Sequence, residues 1–95
     1  MLLQVIKFKS ALSEEELLKV AHEREPLFAA IPGIVQKYYF KTSTPGEYGG
    51  LYVWDSPDSL QEYRESALAA SIGSAYEVTG VPDIQFMDVL FQLRH

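Results

Sequence analysis

The chain has 95 residues, of which 47% are hydrophobic, a net charge of −5 and no cysteine. That length suits one domain, residues 1–95, with a modest core. The acidic balance, without any run of Lys or Arg, argues against a nucleic-acid partner, and the missing sulfur removes disulfides, thiol nucleophiles and thiolate-held metals.

The opening Met1-Leu2-Leu3-Gln4-Val5-Ile6 is apolar but short, and no small-residue cleavage site follows it. No apolar run approaches the roughly 20 residues that span a bilayer. The expectation is a cytoplasmic protein with no membrane partner. Leu2 to Lys9 reads as the first strand, with Leu3 and Val5 on one face and Gln4, Ile6 and Phe8 on the other.

Ser13 opens the first helix. Glu16, three residues on, completes a capping box, and Glu14 and Glu15 complement the positive helix end. Leu17, Leu18, Ala21, Glu25 and Phe28 follow a helical stripe. Pro26 has no N–H for the carbonyl of His22, so the spacing predicts a kink or a restart there, and Ile31-Pro32-Gly33 ends the helix.

Gly33 to Thr42 and Tyr48 to Trp54 read as a hairpin around the turn Ser43-Thr44-Pro45-Gly46, where Pro presets φ and Gly accepts a positive one. A simple four-residue turn sets Lys37 opposite Tyr52 and Val35 opposite Trp54, with Tyr39 on the same face. Gln36, Tyr38, Leu51 and Val53 share the other face. A bulge at Gly49-Gly50 would shift this register by one.

The stretch Gly49-Gly50-Leu51-Tyr52-Val53-Trp54-Asp55-Ser56-Pro57 organises the chain. Its glycines allow close backbone approach, Leu51 to Trp54 suit a pleated surface, and Ser56-Pro57 caps and starts the second helix. That helix passes Leu60, Tyr63 and Ala67. The small residues from Ser66 to Ser74 interrupt it, a further helical piece ends near Tyr76, and Thr79-Gly80-Val81-Pro82 stops it. Ile84 to Leu93 reads as the fourth strand.

The order β-α-β-β-α-β, with right-handed crossovers, gives a four-stranded antiparallel sheet with both helices on one face, a ferredoxin-like α+β sandwich. The other sheet face keeps apolar and aromatic residues. It is expected to bury itself against a copy of itself, making a homodimer.

His22 and His95 lie far apart and form no ligand set with carboxylates, so a protein-held metal is not expected. Gly46, Gly49 and Gly50 follow no phosphate-loop spacing, and no serine sits in a nucleophile elbow. What remains is an aromatic group with a few polar members. Val35, Lys37, Tyr39, Tyr52 and Trp54 share one sheet face, His22 or Arg24 reaches it from the first helix, and Tyr63 from the second. Such residues serve cores and interfaces as readily as sites. His22 is the one interior imidazole, a candidate general base or hydrogen-bond partner or else a boundary residue of an amphipathic helix.

Two segments, Ile31-Pro32-Gly33-Ile34-Val35-Gln36-Lys37-Tyr38-Tyr39 and Glu47-Tyr48-Gly49-Gly50-Leu51-Tyr52-Val53-Trp54-Asp55-Ser56, resemble the YdhR-like monooxygenases. These belong to the dimeric α/β-barrel superfamily that includes the antibiotic-biosynthesis monooxygenases. The resemblance implies a homodimer whose two sheets form a barrel, with a pocket between sheet and helices in each subunit. It also implies oxygenation of an electron-rich aromatic molecule, of phenol, anthrone or quinol type, with no metal, flavin or haem. Quinone-forming members use an asparagine, a tryptophan and a tyrosine around the substrate. This chain has no asparagine, and Trp54 alone carries over from that set.

On this reading the catalytic candidates are His22, Trp54, Tyr52 and Tyr39, with Lys37, Arg24, Tyr63 and Val35 binding substrate and no cofactor. Two other readings use the same pocket. One is a non-catalytic binding or stress-response protein that holds an apolar metabolite. The other is an isomerase-like member that works without O2.

Overall fold

The structure, a computed structural model, describes residues 1–95. The chain runs β1 (Leu2–Ser10), α1 (Glu14–Ala29), β2 (Ile34–Lys41), β3 (Glu47–Trp54), α2 (Pro57–Arg64), α3 (Ala67–Ala70), α4 (Ile72–Ala75) and β4 (Val78–Asp88). Its one antiparallel sheet has the order β2-β3-β1-β4. This is the ferredoxin-like α+β arrangement that the element order predicts.

α1 begins as its capping box dictates: Ser13 Oγ accepts from the Glu16 amide at 3.2 Å, and Glu16 Oε1 accepts from the Ser13 amide at 3.0 Å. Of the kink or restart expected at Pro26, the restart does not occur, and one helix continues through it to Ala29. Pro26 and His22 both lie on the exposed side of the helix. The carbonyl that Pro26 cannot serve therefore lies where water can reach it. Leu17, Ala21 and Phe28 form the buried stripe, while Leu18 and Glu25 are exposed.

The β2–β3 register sets Lys37 opposite Tyr52 as expected, but Trp54 pairs with Ile34 and not with Val35. The bulge falls at Val35, between Ile34 and Gln36, and leaves Gly49-Gly50 regular. The glycines answer to close approach. A Cβ on Gly49 would stand 2.1 Å from the Ile6 carbonyl oxygen.

The second helical crossover breaks into pieces, as the small-residue run from Ser66 to Ser74 predicts. Ser56 and Ser66 each cap a new start through their side chains. The fourth strand spans Val78–Asp88 and not Ile84 to Leu93. Thr79-Gly80-Val81-Pro82 is a bulge inside the strand, not a helix stop. Gly80 takes φ 75° there, and β4 advances from Thr79 to Asp83 while β1 advances only between Lys9 and Lys7.

The core lies between the sheet and α1–α4. Ile6, Phe8, Tyr48, Tyr52 and Trp54 come from the sheet, Leu17, Ala21 and Phe28 from α1, Leu60 and Tyr63 from α2, and Tyr76 follows α4. The opposite sheet face carries Leu3, Val5, Tyr38, Leu51, Val53 and Met87 with no helix over it. Tyr38 is 55% exposed and Met87 42%.

Candidate active site

A cavity of about 210 Å³ opens between the sheet and α1. Ile6 and Phe8 of β1, Lys37 and Tyr39 of β2, Tyr48, Gly50 and Tyr52 of β3, Leu17 and Leu18 of α1, and Ile72 and Tyr76 line it. The strand alternation explains the set, because Ile6, Phe8, Lys37, Tyr39, Tyr48 and Tyr52 occupy the helix-facing positions of three paired strands. Gly50 forms the floor. A Cβ there would stand 3.1 Å from Tyr52 Cε1 and 3.4 Å from Lys37 Cε. At the mouth, Lys41 Nζ donates to Glu14 Oε1 at 2.8 Å and ties the end of β2 to the start of α1.

Lys37 is the one charged side chain whose amine turns inward. Its Nζ stands 3.4 Å from the ring centroid of Phe28 and 4.5 Å from those of Tyr39 and Tyr52. It has neither an ion pair nor a side-chain hydrogen bond. Burial, with the positive charge of Arg24 adding to it, pulls its pKa down to about 7. The negative ring faces hold the charged form and offset part of that fall.

The tyrosines respond in the opposite direction. Burial, with Tyr76 and Glu25 nearby, pushes Tyr39 up to about 12. Burial, with the Tyr63 hydroxyl beside it, raises Tyr52 further. Both phenols therefore stay protonated near neutrality and can donate hydrogen bonds. Tyr76 Oη is buried without a partner, and burial raises its pKa while Arg24 opposes the rise.

The candidates named from sequence separate into three groups. Lys37, Tyr39 and Tyr52 meet in the cavity. Trp54, Tyr63 and Arg24 stand behind its wall. Trp54 is fully buried, lies nearly parallel to Tyr52 at 6.1 Å, and donates its Nε1–H to Gln4 Oε1 at 3.0 Å. Tyr63 Oη sits 3.5 Å from Tyr52 Oη. Arg24 Nη2 donates to Ser71 Oγ at 2.8 Å, and its guanidinium lies 5.9 Å from the ring centres of Phe28 and Tyr76. That contact links α1 to the start of α4.

The third group lies outside. His22 is 74% exposed and pairs with Glu25 at 3.4 Å on the outer side of α1. The helix phase that buries Leu17, Ala21 and Phe28 turns His22 away. Val35, carried outward by its bulge, lines a second cleft with Glu25 and Phe28, on the far side of Lys37 and Tyr39, which border both.

Sequence reading missed Phe28, Tyr76 and Gln4 as parts of the site and its support. Gln4 left a signal, being a polar residue on the strand face shared with Ile6 and Phe8. Tyr76 left none, because it follows a broken helix whose phase cannot be read. No group of three or more His, Cys, Asp or Glu side chains is placed to hold a metal ion.

Solved structures described as putative antibiotic biosynthesis monooxygenases share this ferredoxin-like fold. Residues 2–91 match the family described as "Putative mono-oxygenase ydhR", and the chain belongs to that family. No curated protein sequence matches it.

Among solved structures it is similar to SnoaB, a cofactor-independent oxygenase from Streptomyces nogalater. The TM-score is 0.77 and the identity 16%, covering 99% of this chain and 97% of that one. NE2512 from Nitrosomonas europaea, of unknown function, gives a TM-score of 0.77 at 18% identity over 96% and 90% of the two chains. A protein from Caulobacter crescentus CB15, described as a putative antibiotic biosynthesis monooxygenase, gives 0.70 at 22% identity over 95% and 90%. These likenesses establish the fold. No helix is long and apolar enough to cross a membrane.

Proposed function

We propose that the chain is a cofactor-independent monooxygenase of small electron-rich aromatic molecules, acting as a cytoplasmic homodimer. The observation that carries this reading is Lys37, an inward amine on three ring faces with no carboxylate bound to it. Such an amine is suited to take the proton of a phenol and to hold the phenolate.

An entering phenol or quinol would lie against Phe8, Tyr39 and Tyr52 and pass its hydroxyl proton to Lys37 Nζ. The phenolate is then paired with the new ammonium and held by tyrosine O–H donors. It gives one electron to O2, the two radicals join as a peroxide at a ring carbon that bears hydrogen, and the Lys37 ammonium returns its proton to make the hydroperoxide. Loss of water leaves a carbonyl there: one oxygen atom stays on carbon, and the other departs with two hydrogens. The apolar walls keep bulk water from the intermediate. Trp54 and Tyr63 fix the Tyr52 ring from behind, and Arg24 adds positive potential. His22 and Val35 have no part in this scheme.

Size narrows the substrate. An apolar cavity of about 150 Å³ holds a benzene ring, and drug-sized ligands need roughly 300 Å³ or more. A volume of about 210 Å³ suits a one- or two-ring phenol. A three-ring anthrone would exceed it and could enter only if the Glu14–Lys41 pair at the mouth parted.

Oxygen uptake with a panel of quinols, naphthols and anthrones tests the reading. Uptake by the folded protein is expected, and Lys37→Met should slow it by roughly a hundredfold. Tight binding with no uptake across the panel would instead favour a binding protein. Turnover that persists without O2 would favour an isomerase.

A further inference from the structure

The placement of Lys37 bears on a second kind of ligand. We propose that the cavity also captures small aromatic aldehydes covalently, as an imine on Lys37 Nζ. This goes beyond the oxygenase reading and does not depend on it.

Three observations carry the inference. The Lys37 side chain lines the apolar cavity, and its Nζ meets the faces of Phe28, Tyr39 and Tyr52 at 3.4 to 4.5 Å. It forms no ion pair, whereas Lys41, at the mouth, is held by Glu14 at 2.8 Å. The groups that face it from neighbouring elements are Arg24 of α1, Tyr39 of β2, Tyr52 of β3, and behind these Tyr63 of α2 and Tyr76. Two carboxylates border the clefts that Lys37 lines, but Glu14 is taken up by Lys41 and Glu25 pairs with His22, and neither forms an ion pair with Lys37. An amine desolvated in apolar surroundings beside a second cation is the environment that turns lysine into a nucleophile. Its lowered pKa agrees.

The steps balance without an oxidant or a cofactor. The Nζ lone pair attacks the aldehyde carbon, a C–N bond forms, and the carbonyl electron pair moves to oxygen. That oxygen takes a proton from the phenol of Tyr39, which the nitrogen restores as it loses one. With a second proton, drawn from solvent through the cavity mouth, the hydroxyl leaves as water, and a protonated C=N bond remains. The cavity walls that accommodate a phenol ring accommodate the aldehyde's ring. Their dryness slows hydrolysis back to the free amine.

The experiment is reductive trapping. Wild-type protein is held without oxygen at pH 7 with benzaldehyde and cyanoborohydride, and the benzylated lysines are mapped by mass spectrometry. Lys37 is expected to label roughly tenfold or more faster than Lys7, Lys9 and Lys19. In urea the preference should vanish. Lys37→Arg should remove that fast adduct and leave slow labelling elsewhere.

Labelling of Lys37 no faster than Lys19 in the folded protein would overturn the proposal, and that comparison needs no variant. Trapping at Lys37 without oxygen uptake would end the oxygenase reading alone. Uptake without trapping would end this one alone.

Discussion

At the scale of single residues, position decides what each candidate can do. His22 and Lys37 are both bases, but the helix phase puts one in water and the strand alternation puts the other among rings. The contrast has a consequence for stability. Lys37 has a lowered pKa in the folded state, so between about 7 and the ordinary lysine value of 10.5 the unfolded chain holds a proton that the folded chain has lost. Stability should therefore rise as pH increases from 7 to 9, below the range where the tyrosines titrate. Urea midpoints across that range should climb in wild type and stay flatter in Lys37→Met. A second expectation concerns Gln4. Its Oε1 is the partner of the fully buried Trp54 indole. Gln4→Ala leaves that N–H unpaired and should cost about 1–3 kcal/mol in denaturant unfolding.

At the scale of elements, the two adjacent glycines of β3 do different things. A Cβ at Gly49 meets backbone, the Ile6 carbonyl oxygen, while at Gly50 it meets the Tyr52 ring edge and the flexible stem of Lys37. Gly49→Ala should destabilise by about 1–3 kcal/mol or more, since two strands must part. Gly50→Ala should unfold near wild type yet bind phenols more weakly, because the added methyl enters the cavity. Isothermal titration beside urea melts would separate the two effects.

Elements with local signals were legible in the sequence. The Ser13–Glu16 box, the Pro45-Gly46 turn and the serine cap of α2 each name their own position. The bulge at Val35 and the one at Gly80-Val81-Pro82 were not, because a bulge is set by what the partner strand demands. The second bulge placed β4 six residues later in the reading than it is. Lys37, Tyr39 and Tyr52 could be gathered from hairpin register alone. Phe28 and Tyr76 complete the site through packing across layers, which no short spacing encodes.

At the scale of the whole molecule, the sheet is covered on one side only. Leu3, Val5, Tyr38, Leu51, Val53 and Met87 leave an apolar surface, and the residues after β4 add Leu90, Phe91 and Leu93, all strongly exposed. A second copy laid on this face would bury it. Light scattering on wild type should give a dimer mass. Leu51→Asp should yield monomer or a measurably weaker dimer, and a wild-type monomer at micromolar concentration would exclude the arrangement. The sheet's two borders hold a further consequence. β2 and β4 are the outer strands, and both carry their irregularity there, at Val35 and at Gly80-Val81-Pro82. A foreign strand zipping along either rim would be halted at one end by the kink, and at Pro82 it would find no N–H at all. The two kinked rims shorten the straight edge that a chain this rich in aromatic and branched side chains offers to a neighbour.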